Sequence, residues 1–170
     1  NGTVLGVLQL INARDAQGKI RSFSKEEEPF VMHFANAGAI SIERAQLTRA
    51  LILRSITMAE MRDPKETGPH VNRVGAYAAE IYDTWATQRG IAAEERHKKK
   101  DVLRMGAMLH DVGKVAIPDI ILKKPGRLDD QEIAVMQQHS RLGAKIFMEQ
   151  FSDLDEAAIL VAINHHERWD

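Results

Sequence analysis

Helix breakers are scarce in this chain, and they fall in clusters. Five prolines serve 170 residues, and none lies between Pro29 and Pro64. Proline lacks an amide donor and collides with the preceding turn, so its absence permits one long helix running to about Met61. At 1.5 Å per residue such a helix is about 50 Å long. Ser24 with Glu27 three residues later reads as a capping box at its start. Glu26, Glu27 and Glu28 suit the positive end of the helix dipole. Pro29 lies slightly deeper than proline prefers, so the helix is expected to start late or bend there. Upstream, residues 1–12 read as a strand rich in Val, Leu and Ile. The Asp15-Ala16-Gln17-Gly18 run is a turn, and 19–23 is expected to pair back as a short second strand.

Asp63-Pro64 ends the long helix, and Pro69 follows soon after. The rest reads as helices over about 70–88, 93–111, 129–150 and 154–168, with Pro118, Pro125 and Gly126 in the intervening loop. Val74, Tyr77, Ala78, Ile81, Tyr82 and Trp85 are expected on the apolar side of the first of these. The fold class is therefore mainly α: a helical bundle preceded by a short β-hairpin remnant and a long linker helix. Along that linker, Ile40, Leu47 and Met61 share one heptad position, and Leu51 and Met58 share its partner. Arg44 and Arg54 interrupt the seam. A homodimer through the long helix and packing on its own domain are equally compatible with this pattern.

Composition excludes several classes. A formal charge of −1 and a pI near 6.7 argue against a binder of DNA or RNA duplex, which carries a basic excess. There are no cysteines, so any metal must be held by His, Asp and Glu. No apolar run reaches the length of a membrane span and no signal peptide is visible, so a cytoplasmic location is expected.

His110-Asp111, in Met108-Leu109-His110-Asp111-Val112-Gly113-Lys114, is the centre of the chemistry. A carboxylate beside an imidazole at a helix end can grip a cation, although such a dipeptide alone is common by chance. Further histidines raise the weight of the pair. His70 follows Glu66 by four residues, which places both on one helical face if the stretch is helical. The plain alternative for Glu66 is a surface carboxylate. His139 is expected in mid-helix, where a core histidine bonded to a backbone carbonyl is the alternative. His165-His166 ends another helix, where neighbouring side chains point apart and can serve different metals. Imidazole mixed with carboxylate suits Fe, Mn or Zn, and oxygen-rich mixtures tilt toward Fe or Mn. His33 and His97 lie outside the pattern.

From about Arg62 to Asp170 the chain resembles the HD-GYP branch of the HD superfamily of metal-dependent phosphohydrolases. The matching pieces are Arg62-Asp63-Pro64 with Thr67, His70 and Arg73-Val74, then His110 to Lys114 with Ile117-Pro118-Asp119. Leu122, Lys124-Pro125-Gly126 and Leu128 follow, with Glu132, Met136, His139 and Gly143 in register. His165-His166-Glu167-Arg168-Trp169-Asp170 comes last. Order and spacing agree across more than a hundred residues. The first fifty residues are similar to the last strands and final helix of a GAF domain. That likeness rests on Gly6 to Asn12, on Phe23-Ser24, and on Ile42-Glu43-Arg44-Ala45.

The resemblance implies five or more helices around two or three divalent metal ions, Fe or Mn. His70, His110, Asp111, His139, His165 and His166 fall on the family's ligand positions, and Glu66 on an extra ligand of three-metal members. Lys114 falls on a lysine beside the substrate phosphate. The implied substrate is cyclic di-GMP, opened to pGpG and onward to GMP, with Asp111 and Lys114 as the catalytic groups. The implied organisation is a GAF-like sensory remnant over 1–49, a linker helix over 50–62, and a phosphohydrolase domain over 63–170. The sequence departs from the family where a Gly-x-Gly-Tyr-Pro segment, a further Asp ligand and basic residues would follow Asp170, so the domain reads as truncated. Two alternatives stand beside this: an HD-superfamily hydrolase of another nucleotide, and a non-catalytic signalling module bound to a partner such as a diguanylate cyclase domain.

Overall fold

A computed structural model describes residues 4–63, 68–149, 151–168 and 170. The chain divides into two compact units, Asn1–Leu53 and Arg54–Asp170. The division falls inside the long helix, so the last two turns of that helix belong to the second unit.

In the first unit, residues 4–13 form no strand, and Asn12 takes a left-handed backbone with φ +59°. A single antiparallel bridge, Arg14 to Ile20, closes the turn, with the Asp15 carboxylate accepting the amides of Gln17 and Lys19. The expected hairpin is thus reduced to one bridge. A strand exists only when a neighbour takes its amides and carbonyls, and none among the described residues runs beside this segment. Helix α1 spans Glu28–Glu60, preceded by a 3-10 turn at Lys25–Glu27. The α-helix therefore starts late and takes Pro29 into its first turn, where a missing amide costs nothing. The Glu27 carboxylate accepts the Ser24 amide at 2.7 Å and pairs with Arg21 at 2.5 Å.

The second unit is all helical among the described residues: α2 (Gly68–Gln88), α3 (Ala93–Met108), α4 (Asp119–Leu122), α5 (Asp130–Met136), α6 (His139–Lys145) and α7 (Asp153–Asn164). A 3-10 helix, Val112–Ala116, joins α3 to α4. The main packings are α2 on α3, α3 on α7, and α6 on both α7 and the 3-10 helix. The core is built largely from small residues, Ala79, Ala86, Ala107, Ala144, Ala158 and Ala162, with Ile117 and Leu122 fully buried. Small side chains let helix axes approach, and that closeness overturns one expectation. On α2 the buried stripe is Val71, Gly75, Ala79 and Ala86, whereas Tyr77, Ile81 and Trp85 are 64 %, 70 % and 46 % exposed. A Cβ on Gly75 would come within 2.7 Å of Met108 Cγ and 3.0 Å of the Arg104 carbonyl, so α3 occupies the face that larger residues would have claimed. Trp85 instead lies under the Arg89 guanidinium, 4.4 Å from its ring centre.

Two helix expectations also need correction. The stretch expected to be helical over 129–150 is two short helices with a break at Gln137-Gln138, so His139 opens α6 rather than sitting in mid-helix. The stretch expected over 93–111 ends at Met108, and His110-Asp111 lies in the turn beyond. Helix α5 begins where expected: the Asp129 carboxylate accepts the Glu132 amide and Glu132 accepts that of Asp129, both at 2.9 Å. No helix among the described residues is long and apolar enough to cross a membrane.

Candidate metal centre

Three tight turns bring the functional side chains together. The first follows α3 and carries His110 and Asp111. The second is the α5–α6 break, carrying His139. The third ends α7, carrying His165 and His166. The first two are pressed together at Gly113 and Gly143. A Cβ on Gly113 would overlap the His139 carbonyl and lie 2.8 Å from Gly143 Cα, so only glycine permits the approach that sets His139 beside Asp111.

Within each turn the ring is aimed by its own backbone. His110 Nδ1 lies 2.9 Å from the Ala107 carbonyl, His139 Nδ1 2.6 Å from that of Met136, and His165 Nδ1 3.0 Å from that of Ala162. The partner is three residues upstream in every case. A carbonyl only accepts, so Nδ1 donates in all three rings and Nε2 presents a lone pair to the centre. The His139 bond also accounts for the break before α6. It draws the ring onto a carbonyl of α5 while Gln137 and Gln138 adopt the tight dihedrals of a 3-10 turn.

Asp111 stands where these lone pairs meet. Its Oδ1 is 3.1 Å from His139 Nε2 and 3.4 Å from His165 Nε2, and its Oδ2 is 3.1 Å from His110 Nε2. His139 Nε2 lies 3.2 Å from the Nε2 atoms of both His165 and His166. Ligand atoms of Asp111, His139, His165 and His166 all fall within 4.8 Å of one another. His70 borders the group, its ring centre 5.8 Å from that of His110. Glu66 lies outside the described residues.

This donor set fits a divalent cation. Oδ1 of Asp111 is buried and receives no directed hydrogen bond. Its neighbours are imidazole nitrogens with their protons on the far side, so electron-rich atoms face one another at about 3 Å. A cation about 2.0–2.2 Å from each would turn that repulsion into ligation. Burial pushes the Asp111 carboxyl up, and the Lys114 ammonium 2.8 Å from its Oδ2 pulls it down toward the ionised form. Burial, followed by the proximity of His165 and His139, pushes the His166 imidazole down against the pull of Asp111, which favours the neutral, ligating form.

Lys114, one turn along the 3-10 helix, places Nζ 2.8 Å from Asp111 Oδ2. It also meets Asp63 Oδ2 at 3.2 Å. The expectation that His165 and His166 point apart is corrected by their ring centres, 4.0 Å from each other and both beside His139. Asp63 and Arg62 carried no role in the sequence reading; the signal available was their place in the Arg-Asp-Pro motif. His33 and His97 are exposed.

A helical bundle whose turns converge imidazoles and a carboxylate presents a donor set that could hold a divalent cation, with a lysine beside it. The chain belongs to the HD domain family, which matches residues 67–170. It is 37 % identical to a 3'3'-cGAMP-specific phosphodiesterase 2 of Vibrio cholerae, over 77 % of this chain and 23 % of that protein. It is 33 % identical to a cyclic di-GMP phosphodiesterase of the same organism, over 96 % of this chain and 35 % of the relative. A cyclic di-GMP phosphodiesterase of Thermotoga maritima is 35 % identical over 66 % of this chain and 28 % of its own length. The chain thus spans about a quarter to a third of the curated relatives it matches.

Proposed function

We propose that this chain carries the HD-GYP-type catalytic core of a metal-dependent phosphodiesterase that hydrolyses cyclic di-GMP to pGpG, with GMP as a further product. The observation that carries the reading is the convergence of Asp111 with His139, His165 and His166 inside 4.8 Å, with the ring protons of His139 and His165 turned outward. Two relatives bearing the name cyclic di-GMP phosphodiesterase support the substrate.

The ligands in this reading are His70, His110, Asp111, His139, His165 and His166, with Glu66 added for a third ion, and the metals are Fe or Mn. Bound cations would supply activation of water near neutral pH and neutralisation of charge on the phosphoryl oxygens. The chain's own residues do the rest. Asp111, held ionised, offers one oxygen to each side of the centre. The three carbonyl-anchored imidazoles fix ligand directions before substrate arrives, which limits reorganisation during the reaction. Lys114 binds a non-bridging phosphate oxygen through its ammonium. Residues 1–49 are the end of a GAF-like sensory domain in this reading, with 50–62 as a linker. The exposed seam of Ile40, Leu47, Leu51, Met58 and Met61 suits a homodimer along α1, and a diguanylate cyclase domain is the candidate partner.

A second reading differs only in substrate. The 37 % relative is named for 3'3'-cGAMP, so one guanine would be replaced by adenine. Purified complete protein, assayed with cyclic di-GMP, 3'3'-cGAMP and nucleoside phosphates, separates the two. Asp111→Ala is expected to remove bound metal and hydrolysis together. Full turnover by that variant, or absence of metal from the wild type, sinks the enzyme reading in favour of a signalling module.

A further inference from the structure

The His139 ring is set by two elements that are anchored unequally. Its backbone belongs to α6, which buries His139, Gly143 and Ala144 and packs on both α7 and the 3-10 helix. The acceptor that aims its Nδ1, the Met136 carbonyl at 2.6 Å, belongs to α5 on the other side of the break. Helix α5 buries none of its seven residues. Only Glu132, Val135 and Met136 are half-buried there, and Ile133 is 41 % exposed. Apolar burial therefore gives that carbonyl a weak hold. An ion pair ties the helix back. Lys124 Nζ donates to Glu132 Oε2 at 2.5 Å, and the same oxygen accepts the Asp129 amide of the capping box. Lys124 comes two residues after Leu122, the fully buried end of α4. Between the paired residues Gly126, at φ +117°, lets the loop turn back.

We propose that Lys124 and Glu132 are positioning residues for His139: their pairing holds α5 so that the Met136 carbonyl keeps Nδ1 as the donor and Nε2 as the ligand atom. The links run in series, from Leu122 in the core through Lys124 and Glu132 to α5, and from Met136 to the ring. His110 and His165 take their carbonyls from Ala107 on α3 and Ala162 on α7, helices that bury residues of their own, so neither depends on the pair. Part-exposed ion pairs contribute little to overall stability, and the side chains here are 33 % and 22 % exposed. The effect of this one is directional and falls on a single ring. The ligand role of His139 rests on the phosphodiesterase reading; the state of its ring is read without turnover.

The complete protein, loaded with zinc as a diamagnetic ion and isotope-labelled at histidine nitrogen, reports each Nδ1–H by NMR. Lys124→Met removes the tether and leaves the capping box intact. Glu132→Gln removes the charge and keeps an oxygen for the Asp129 amide. In either variant the His139 Nδ1–H is expected to exchange with water several-fold faster, while those of His110 and His165 keep their wild-type rates. The dissociation constant for zinc should rise by about 10-fold, the low end of what a disturbed partner behind a ligand costs, with Tm close to wild type. The double variant should go no further than either single one, and Lys124→Arg should restore the wild-type exchange rate. Lys123→Met, which breaks the neighbouring pair with Asp119, should leave His139 unchanged. An unchanged His139 signal in both single variants, or an equal acceleration at all three rings, overturns the proposal. A wild type that takes up no cation sinks the metal-centre reading instead, and the nitrogen that carries the His139 proton in the metal-free chain, compared between wild type and Lys124→Met, then decides the tether by itself.

Discussion

A backbone carbonyl can only accept a hydrogen bond, and in this protein that fact sets the state of three imidazoles. His110, His139 and His165 each spend Nδ1–H on the carbonyl three residues upstream, which leaves Nε2 basic and directed. The Lys114 ammonium, 2.8 Å from Oδ2, favours the ionised form of Asp111. The same logic acts outside the site. The Arg21 guanidinium and the Ser24 amide pull the Glu27 carboxyl from its ordinary 4.5 down to about 2. A depressed carboxyl stabilises the folded form above its unfolded value and loses that effect as pH falls. The capped start of α1 should therefore hold at pH 4 and fray as pH passes through about 2. A carboxyl-carbon NMR titration of Glu27 checks this, and Arg21→Gln should move the midpoint back toward the ordinary range. A midpoint near 4.5 in the unaltered protein would show the pair to be ineffective in solution.

At the level of elements, short helices position the site better than long ones would. Helices α5 and α6 have seven residues each, and their break turns the His139 ring onto Asp111. The contact that matters most is Gly113 against Gly143. Gly113→Ala puts a methyl group into the His139 carbonyl, a backbone atom that cannot rotate away. The expected cost is about 1–3 kcal/mol or more, as for other overpacked contacts. Because the displaced element carries His139, metal content should fall with stability. Thermal unfolding with elemental analysis tests this: Gly113→Ala with unchanged Tm and metal would show that the two turns can part freely. Gly75→Ala offers a control on α2, since its nearest obstacle is the flexible end of Met108. The exposed Tyr77, Ile81 and Trp85 show why the apolar face of α2 was misread. Side-chain size ranks residues by hydrophobicity, but the closest helix approach selects the smallest residues on the surface, here Gly75 and Ala79.

Taken whole, the proposed centre would draw its cation ligands from α2, the turn after α3, the start of α6 and the end of α7. A cation held by segments that distant binds only the folded form, so its binding energy adds to stability. Occupancy at about 100 times Kd adds roughly 2.7 kcal/mol. Removing metal with a chelator should lower Tm by about 5–10 °C for a unit of this size. Readdition of Mn or Fe should restore it, and Asp111→Ala should abolish the difference. A Tm indifferent to chelation would place the cations outside the folding linkage.

Much of this molecule could be read without coordinates. The proline-free run marked α1, and the order of His70, His110-Asp111, His139 and His165-His166 singled out residues that the fold brings together. These are local or one-dimensional signals: caps, breakers and motif spacing depend on neighbours a few residues away. The sequence could not show the lone bridge at Arg14 and Ile20, the break before His139, the shared direction of His165 and His166, or the burial of Asp63 on Lys114. The shared direction of His165 and His166 beside His139 and the contact of Asp63 with Lys114 depend on groups remote in the chain, while the break before His139 turns on which nearby carbonyl its ring takes. Residue order set which atoms were available to the site; only packing decided which faced one another, because distance and direction between remote groups exist only once the chain has closed.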